Sequence, residues 1–233
     1  MKELIKYSFT VISCTIGCLA QAQQGQAFMQ ENLQEIGQAN NYQMVYTYNN
    51  ISSTTVGSPY LSDDWAAGSV KLEDDQVLKN LQLKLDLYQN ELILKKTTSE
   101  IYFPKDRISS FDLTTDGSKL EFIKTQLDDE AVFLQVLVTN ESLRLLKQRK
   151  VTFIPARNEG AYKSASPNDE YKESAKFYLR QNGELIKVPK AYGKFAKLFP
   201  DQKNTIKDYL IDNRIDLQKE ADLIVTINYI SDL

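Results

Sequence analysis

The segment Leu81-Gln82-Leu83-Lys84-Leu85-Asp86-Leu87 places a leucine at every second position. On a helix these four side chains would scatter around the axis, whereas on a strand all of them face one side. An amphipathic strand with one apolar face needs neighbours that bury that face, so the segment predicts an antiparallel sheet. Strand-like runs continue on both sides of it. Ser69–Leu72 precedes it and ends in the turn Glu73-Asp74-Asp75; Glu91–Lys96 and Glu100–Phe103 follow. Ile108–Leu113 and Lys119–Lys124 flank Thr115-Asp116-Gly117-Ser118, and Ser174–Arg180 and Glu184–Val188 flank Gln181-Asn182-Gly183. Asp-Gly and Asn-Gly between alternating runs signal two-residue hairpins, because a type I′ turn needs positive φ at both central positions. Ala131–Thr139, Leu143–Lys147 and Val151–Ile154 complete the series. Val132, Leu134, Val136 and Val138 mark one face of the first of these, and Phe133 and Leu137 the other, as in a strand covered on both sides.

Near the C-terminus the period changes. Ala191, Phe195, Leu198 and Phe199 recur at helical spacing and stop at Pro200, which disfavours helix at the residue before it. Asp201 is the expected N-cap of a second helix carrying Ile206, Tyr209 and Leu210 and closing at Asn213. Asp216 is the expected cap of a third, through Ala221, Ile224, Ile227 and Ile230. No internal repeat and no domain linker is evident. The expected fold is mainly β with C-terminal helices (α+β): an antiparallel β-meander over 42–188, forming a curved sheet, open barrel or sandwich, then about three short α-helices over 189–233 packed on it. A first strand is expected at Tyr42–Tyr48. The low-apolar stretch Asn158–Lys172 reads as a long loop, a length that is usually functional or disordered.

The N-terminus carries a different message. Lys2 and Lys6 precede the apolar run Tyr7–Leu19, followed by Ala20-Gln21-Ala22. A positive start, a short apolar core and an A-x-A site are the parts of a secretory signal, with cleavage after Ala22 and residues 1–22 removed. Residues 23–41 form a Gln/Asn-rich leader with a short helix at Ala27–Ile36. The two cysteines of the chain, Cys14 and Cys18, both lie in the signal. A chain cut after Ala22 therefore has no disulfide, thiol nucleophile or thiolate metal site. The alternative is Thr15-Ile16-Gly17-Cys18 as a lipoprotein box, with Cys18 lipidated; the threonine departs from the usual leucine.

Absent chemistry narrows the function. The chain contains no histidine, which removes imidazole-based nucleophile activation and zinc sites. No glycine-rich phosphate loop and no S-x-x-K motif occurs. No cofactor, no metal and no nucleic-acid partner is expected; 28 basic against 31 acidic residues is not the strongly basic balance of a nucleic-acid binder. Asp63-Asp64, Glu73-Asp74-Asp75 and Asp128-Asp129-Glu130 could supply a glycosidase-like pair or a calcium site, but acidic clusters between strands are ordinarily solvated turns. Tyr60 and Trp65, the one tryptophan, are the candidate binding residues, as a stacking platform for a sugar or partner; the competing reading is that they fill the core. Lys187, Lys190, Lys194 and Lys197 form a basic strip around the first C-terminal helix. It is either the solvated face opposite Phe195 and Leu198 or a contact for anionic headgroups or an acidic partner.

Gly57-Ser58-Pro59-Tyr60-Leu61, Trp65, Gly68 and a Val-x-Leu strand, with the later Tyr178, Lys194, Phe199, Lys203, Tyr209 and Asn213, resemble a group of uncharacterised exported proteins of the Bacteroidetes. The resemblance implies a cell-envelope protein, periplasmic or outer-membrane associated, and brings no catalytic residues with it. The leading expectation is a non-enzymatic partner-binding or structural protein acting through the sheet surface or the 158–172 loop. The alternatives are a small-molecule or glycan binder at Tyr60 and Trp65, and a carboxylate-dependent hydrolase. Intact mass of the protein from its native host should match a chain starting at Gln23 in the soluble fraction. A mass for a chain starting at Cys18 plus acyl groups, in the membrane fraction, would replace this reading with a lipoprotein.

Overall fold

The computed structural model describes residues 55–97, 99–141, 143–156 and 168–233. All belong to the second of the chain's two compact units, Met44–Leu233. The signal, the leader, Cys18, the Tyr42–Tyr48 strand and most of the 158–172 loop lie outside the described residues.

Ten strands form one antiparallel sheet: β1 (Ala66–Leu72), β2 (Val77–Asp86), β3 (Glu91–Lys95), β4 (Glu100–Tyr102), β5 (Ile108–Thr115), β6 (Ser118–Leu127), β7 (Glu130–Thr139), β8 (Leu143–Ile154), β9 (Glu170–Gln181) and β10 (Glu184–Lys187). Their order across the sheet is β10-β9-β8-β7-β6-β5-β1-β2-β3-β4, so the sheet is open rather than a closed barrel. Three helices follow: α1 (Tyr192–Ala196), α2 (Lys203–Asp212) and α3 (Glu220–Ser231). The expected fold class is the observed one.

The leucines of the 81–87 segment do what their spacing requires. Leu81, Leu83, Leu85 and Leu87 are all buried, with Gln82 exposed between them. The strands after β1 contribute Phe111, Phe122 and Phe133 to the interior. Phe111 stacks on Phe122 at 4.9 Å and meets Phe133 edge-on at 5.0 Å. Farther along the sheet, Leu143, Leu145 and Leu179 pack with Phe195, Ile206, Leu210, Leu223 and Ile227, so the helices close over the β8–β9 end. Val132, Leu134, Leu146 and Tyr178 form a further core, and β7 is indeed buried on both faces. Burying such leucines and phenylalanines contributes about 1.5–3 kcal/mol each.

Both glycine turns adopt the expected geometry, with positive φ at Asp116 and Gly117 and at Asn182 and Gly183. A third turn of this kind, Asp128-Asp129, has φ of 52° and 65° without a glycine. Aspartate tolerates the left-handed region better than most residues.

Several expectations need correction. Leu143–Lys147 and Val151–Ile154 are one strand, and Ser174–Arg180 extends back to Glu170, because β8 and β9 pair without interruption from Leu143↔Gln181 to Ile154↔Glu170. The 158–172 loop is thereby shortened. Asp201 does not cap α2: it lies in a 3-10 turn, Pro200–Gln202, begun by the proline, and Gln202 occupies the cap position. Nor does Asp216 cap α3, which starts at Glu220 with Lys219 before it. Asp216 instead accepts from the Gln218 N–H at 2.9 Å, and its own N–H donates to Asp222 at 2.8 Å, which lets Leu217 turn inward. Asn213 does close α2.

Gly68 marks the closest backbone approach in β1. A Cβ there would lie 2.1 Å from the Asp112 carbonyl oxygen and 3.1 Å from Leu83. Gly68→Ala should therefore lower the urea unfolding free energy by about 1–3 kcal/mol. Gly193→Ala, with nothing within 4 Å of the added carbon, should be neutral or slightly stabilising. Equal unfolding midpoints for the two variants would contradict this packing.

Candidate functional site

The sheet curls until the turn between β2 and β3 meets its middle. β7 and β8 are paired only from Gln135↔Lys147 to Thr139↔Arg144, and past that point they part. The β2–β3 turn (87–90) enters the gap and bonds to groups on both released edges. The Val151 N–H of β8 donates to the Leu87 carbonyl at 3.2 Å. Asn90, with φ of 57°, turns its carboxamide along β7: Nδ2 donates to the Ala131 carbonyl at 3.3 Å and Oδ1 accepts from the Phe133 N–H at 3.2 Å. One side chain thus replaces a missing strand partner for two backbone groups that would otherwise be costly to bury unpaired.

Asp86 holds the turn in shape. Only 1% exposed, its Oδ1 accepts from the Tyr88 and Gln89 N–H groups at 2.8 and 2.9 Å. Burial pushes its carboxyl above the usual carboxylate range, the Gln89 and Tyr88 N–H groups pull the other way, and Glu91 raises it further. The segment before β1 runs beside this end of β2, with the Leu61 N–H donating to the Leu85 carbonyl and the Leu87 N–H to that of Pro59.

The parting of β7 and β8 leaves a cleft of about 350 Å³, lined among others by Tyr88, Asn90, Lys105, Glu130, Gln148 and Arg149. Its charges are largely paired. Lys105 lies 2.9 Å from Glu91, and Arg149 grips both oxygens of Glu173 at 2.6 and 3.0 Å. That hydrogen bonding holds the Glu173 carboxyl below its ordinary range. Beside the cleft is an aromatic shelf. Tyr88 meets Tyr171 edge-on at 5.9 Å, and Phe153, the cross-strand partner of Tyr171, tilts against it at 5.2 Å. Tyr88 is 38% and Phe153 37% exposed. Val56, 53% exposed, joins the shelf through paired backbone bonds with Asp169 and Tyr171. Phe153 and Tyr171 flank the 157–167 segment.

Tyr60 and Trp65 are brought together, but around a lysine. The Lys84 ammonium sits 4.9 Å from each ring, and Lys95 is 5.4 Å from Trp65. Lys84 also donates to the Asp63 carbonyl, which anchors the chain excursion before β1. Both rings are half-buried, and burial, then the charges of Asp86 and Glu100, raise the Tyr60 hydroxyl. A sugar stacking here would meet faces already engaged by ammonium groups, each contact being worth about 0.5–1 kcal/mol. The acidic clusters occupy exposed turns: Asp63-Asp64, Glu73-Asp74-Asp75 and Asp128-Asp129-Glu130 are solvated. Among the described residues no group of three or more Asp, Glu, Cys or His could hold a metal ion. Lys187, Lys190, Lys194 and Lys197 are exposed. No described helix is long and apolar enough to cross a membrane.

Sequence reasoning missed the cleft and the shelf. Tyr88, Phe153 and Tyr171 are scattered over more than eighty positions and meet only through the curl. No family model, curated protein or solved structure matches this chain.

The Asp86 carboxyl gives the cleft a pH signature. Its folded state holds a proton more tightly than the unfolded chain, so its contribution to stability is complete below the unfolded carboxylate pKa, about 3.9. That contribution is lost as pH rises through the higher folded value. Asp86→Asn keeps the acceptor for both N–H groups and removes the titration. The variant should gain on wild type in chemical denaturation as pH rises from 4 to 7, whereas Asp86→Ala should lose about 1–3 kcal/mol at every pH. Parallel stability profiles for wild type and Asp86→Asn would refute this.

Proposed function

We propose that this is an exported, non-enzymatic protein of a bacterial cell envelope that binds a protein partner through the aromatic shelf and the adjoining cleft. The observation that carries the reading is the exposure of Tyr88, Phe153 and Val56 in one patch around Tyr171. Clustered exposed aromatics beside polar groups are the usual anchors of a protein interface. The cleft supports binding rather than chemistry, since Lys105 and Arg149 are held in ion pairs that fix their positions. Export rests on the N-terminal charge, apolar run and A-x-A site, and the envelope setting on the Bacteroidetes resemblance.

A photoreactive phenylalanine at position 88 or 153, introduced in the native host, should crosslink to one protein of discrete mass. The double variant Tyr88→Ser/Phe153→Ser should weaken binding of that protein by tenfold or more, the effect of losing about 1.4 kcal/mol or more at an interface anchor, with the circular dichroism spectrum unchanged. Unaltered binding by the folded double variant would end the proposal. A saturable change of Trp65 fluorescence with a saccharide, insensitive to that double variant, would favour the glycan-binding alternative instead.

A further inference from the structure

Arg144 of β8 and Arg180 of β9 stand directly opposite each other in the antiparallel register. Like charges in such a pair repel, and sequences ordinarily place an acid opposite a base. Here no acid answers: among the described residues neither arginine forms an ion pair. Arg180 is half-buried beside the Val132, Leu134, Leu146 and Tyr178 core, with Leu185 its partner on β10. Its Nη2 donates to the Thr125 hydroxyl of β6, while its Nε–H is enclosed without a partner. An enclosed guanidinium N–H left unpaired is costly in an isolated protein. The surrounding charge does not compensate. Lys187, opposite Tyr178, adds a third cation to the same sheet face, and Asp128 is the carboxylate that bears on Tyr178. The guanidinium of Arg180 is itself pushed below its ordinary pKa by burial and by Arg144.

We propose that Arg144, Arg180 and the Thr125 hydroxyl form a binding site for a phosphate group. Two guanidinium forks and a hydroxyl match a tetrahedral oxyanion, whose charge near −2 offsets both arginines, better than a carboxylate with two oxygens and one charge. Bound between the exposed Arg144 guanidinium and the open edge of Arg180, the anion would convert the repulsive pair into a bridged one. The phosphate is a monoester, carried either by a soluble molecule or by a lipid of the phosphatidic acid type. None of the three residues lines the cleft, so the site stands independently of the partner-binding reading.

The test uses the mature chain and two variants, Arg144→Gln and Thr125→Val. Arg144 is exposed, and its replacement relieves repulsion, so Arg144→Gln should melt no lower than wild type in chloride. Inorganic phosphate should raise the wild-type melting temperature saturably over chloride at matched ionic strength. Half-saturation should move to about tenfold higher phosphate or more in Arg144→Gln, with a smaller shift in Thr125→Val. Co-sedimentation with vesicles containing phosphatidic acid but not with phosphatidylcholine alone, lost in Arg144→Gln and competed by phosphate, would identify a lipid headgroup. A phosphate response without vesicle binding would identify a soluble phosphate ester. No phosphate response in wild type, or an identical one in Arg144→Gln, would overturn the site.

Discussion

A sheet of ten antiparallel strands with an apolar inner face, and no second sheet among the described residues to lie on it, must bury that face by bending over itself. The leucines of β2 and the phenylalanines of β5, β6 and β7 impose this constraint here. The bend carries the β2–β3 turn to the middle of the sheet, where strands β7 and β8 separate. A bend of this kind would expose two unpaired strand edges, the feature that most readily recruits other chains. Asn90 and Leu87 cover them, and the fold depends on that repair. The cleft is what the repair leaves unfilled, and the aromatic shelf is where its far side meets β8 and β9.

Charge is distributed unevenly over this frame. Around the cleft, Lys105 and Arg149 have carboxylate partners, Glu91 and Glu173, that set their geometry. Lys84 has aromatic faces instead, shared between Tyr60 and Trp65. Among the described residues, Arg144 and Arg180 have neither. The contrast separates cations that hold the fold together from cations that the fold leaves available, a distinction not visible from the near balance of acids and bases in the chain.

Secondary structure was legible wherever a local rule governs it. The period-two leucines identified β2, and Asp-Gly and Asn-Gly located two hairpins, since backbone chirality restricts those turns to few residues. The rule failed where the controlling contact lies elsewhere. The outer half of β9, Glu170–Lys176, has mostly exposed side chains on both faces, so no alternation marks it; pairing with β8 alone makes it a strand. Asp201 and Asp216 have the composition of helix caps, but Pro200 and the inward turn of Leu217 moved the helix starts past them. Asp128-Asp129, by contrast, is the solvated turn between strands that its composition suggests.

The binding surface was the least legible part. Tyr60 and Trp65 stood out because they are aromatic and close in sequence, and they do converge, around a lysine whose proximity no spacing foretells. Tyr88, Phe153 and Tyr171 gave no shared signal, since each belongs to a different strand or turn. The sequence by itself determined the fold class, the strand-forming periodicity, two of the hairpin turns and the absence of imidazole chemistry, because these depend on composition and neighbours within a few residues. Only the tertiary structure decided that the sheet stays open, that Asn90 closes its torn edge, and which aromatics and arginines share a surface. Those outcomes follow from contacts between residues tens of positions apart, which come into being only as the whole sheet bends to bury its apolar face.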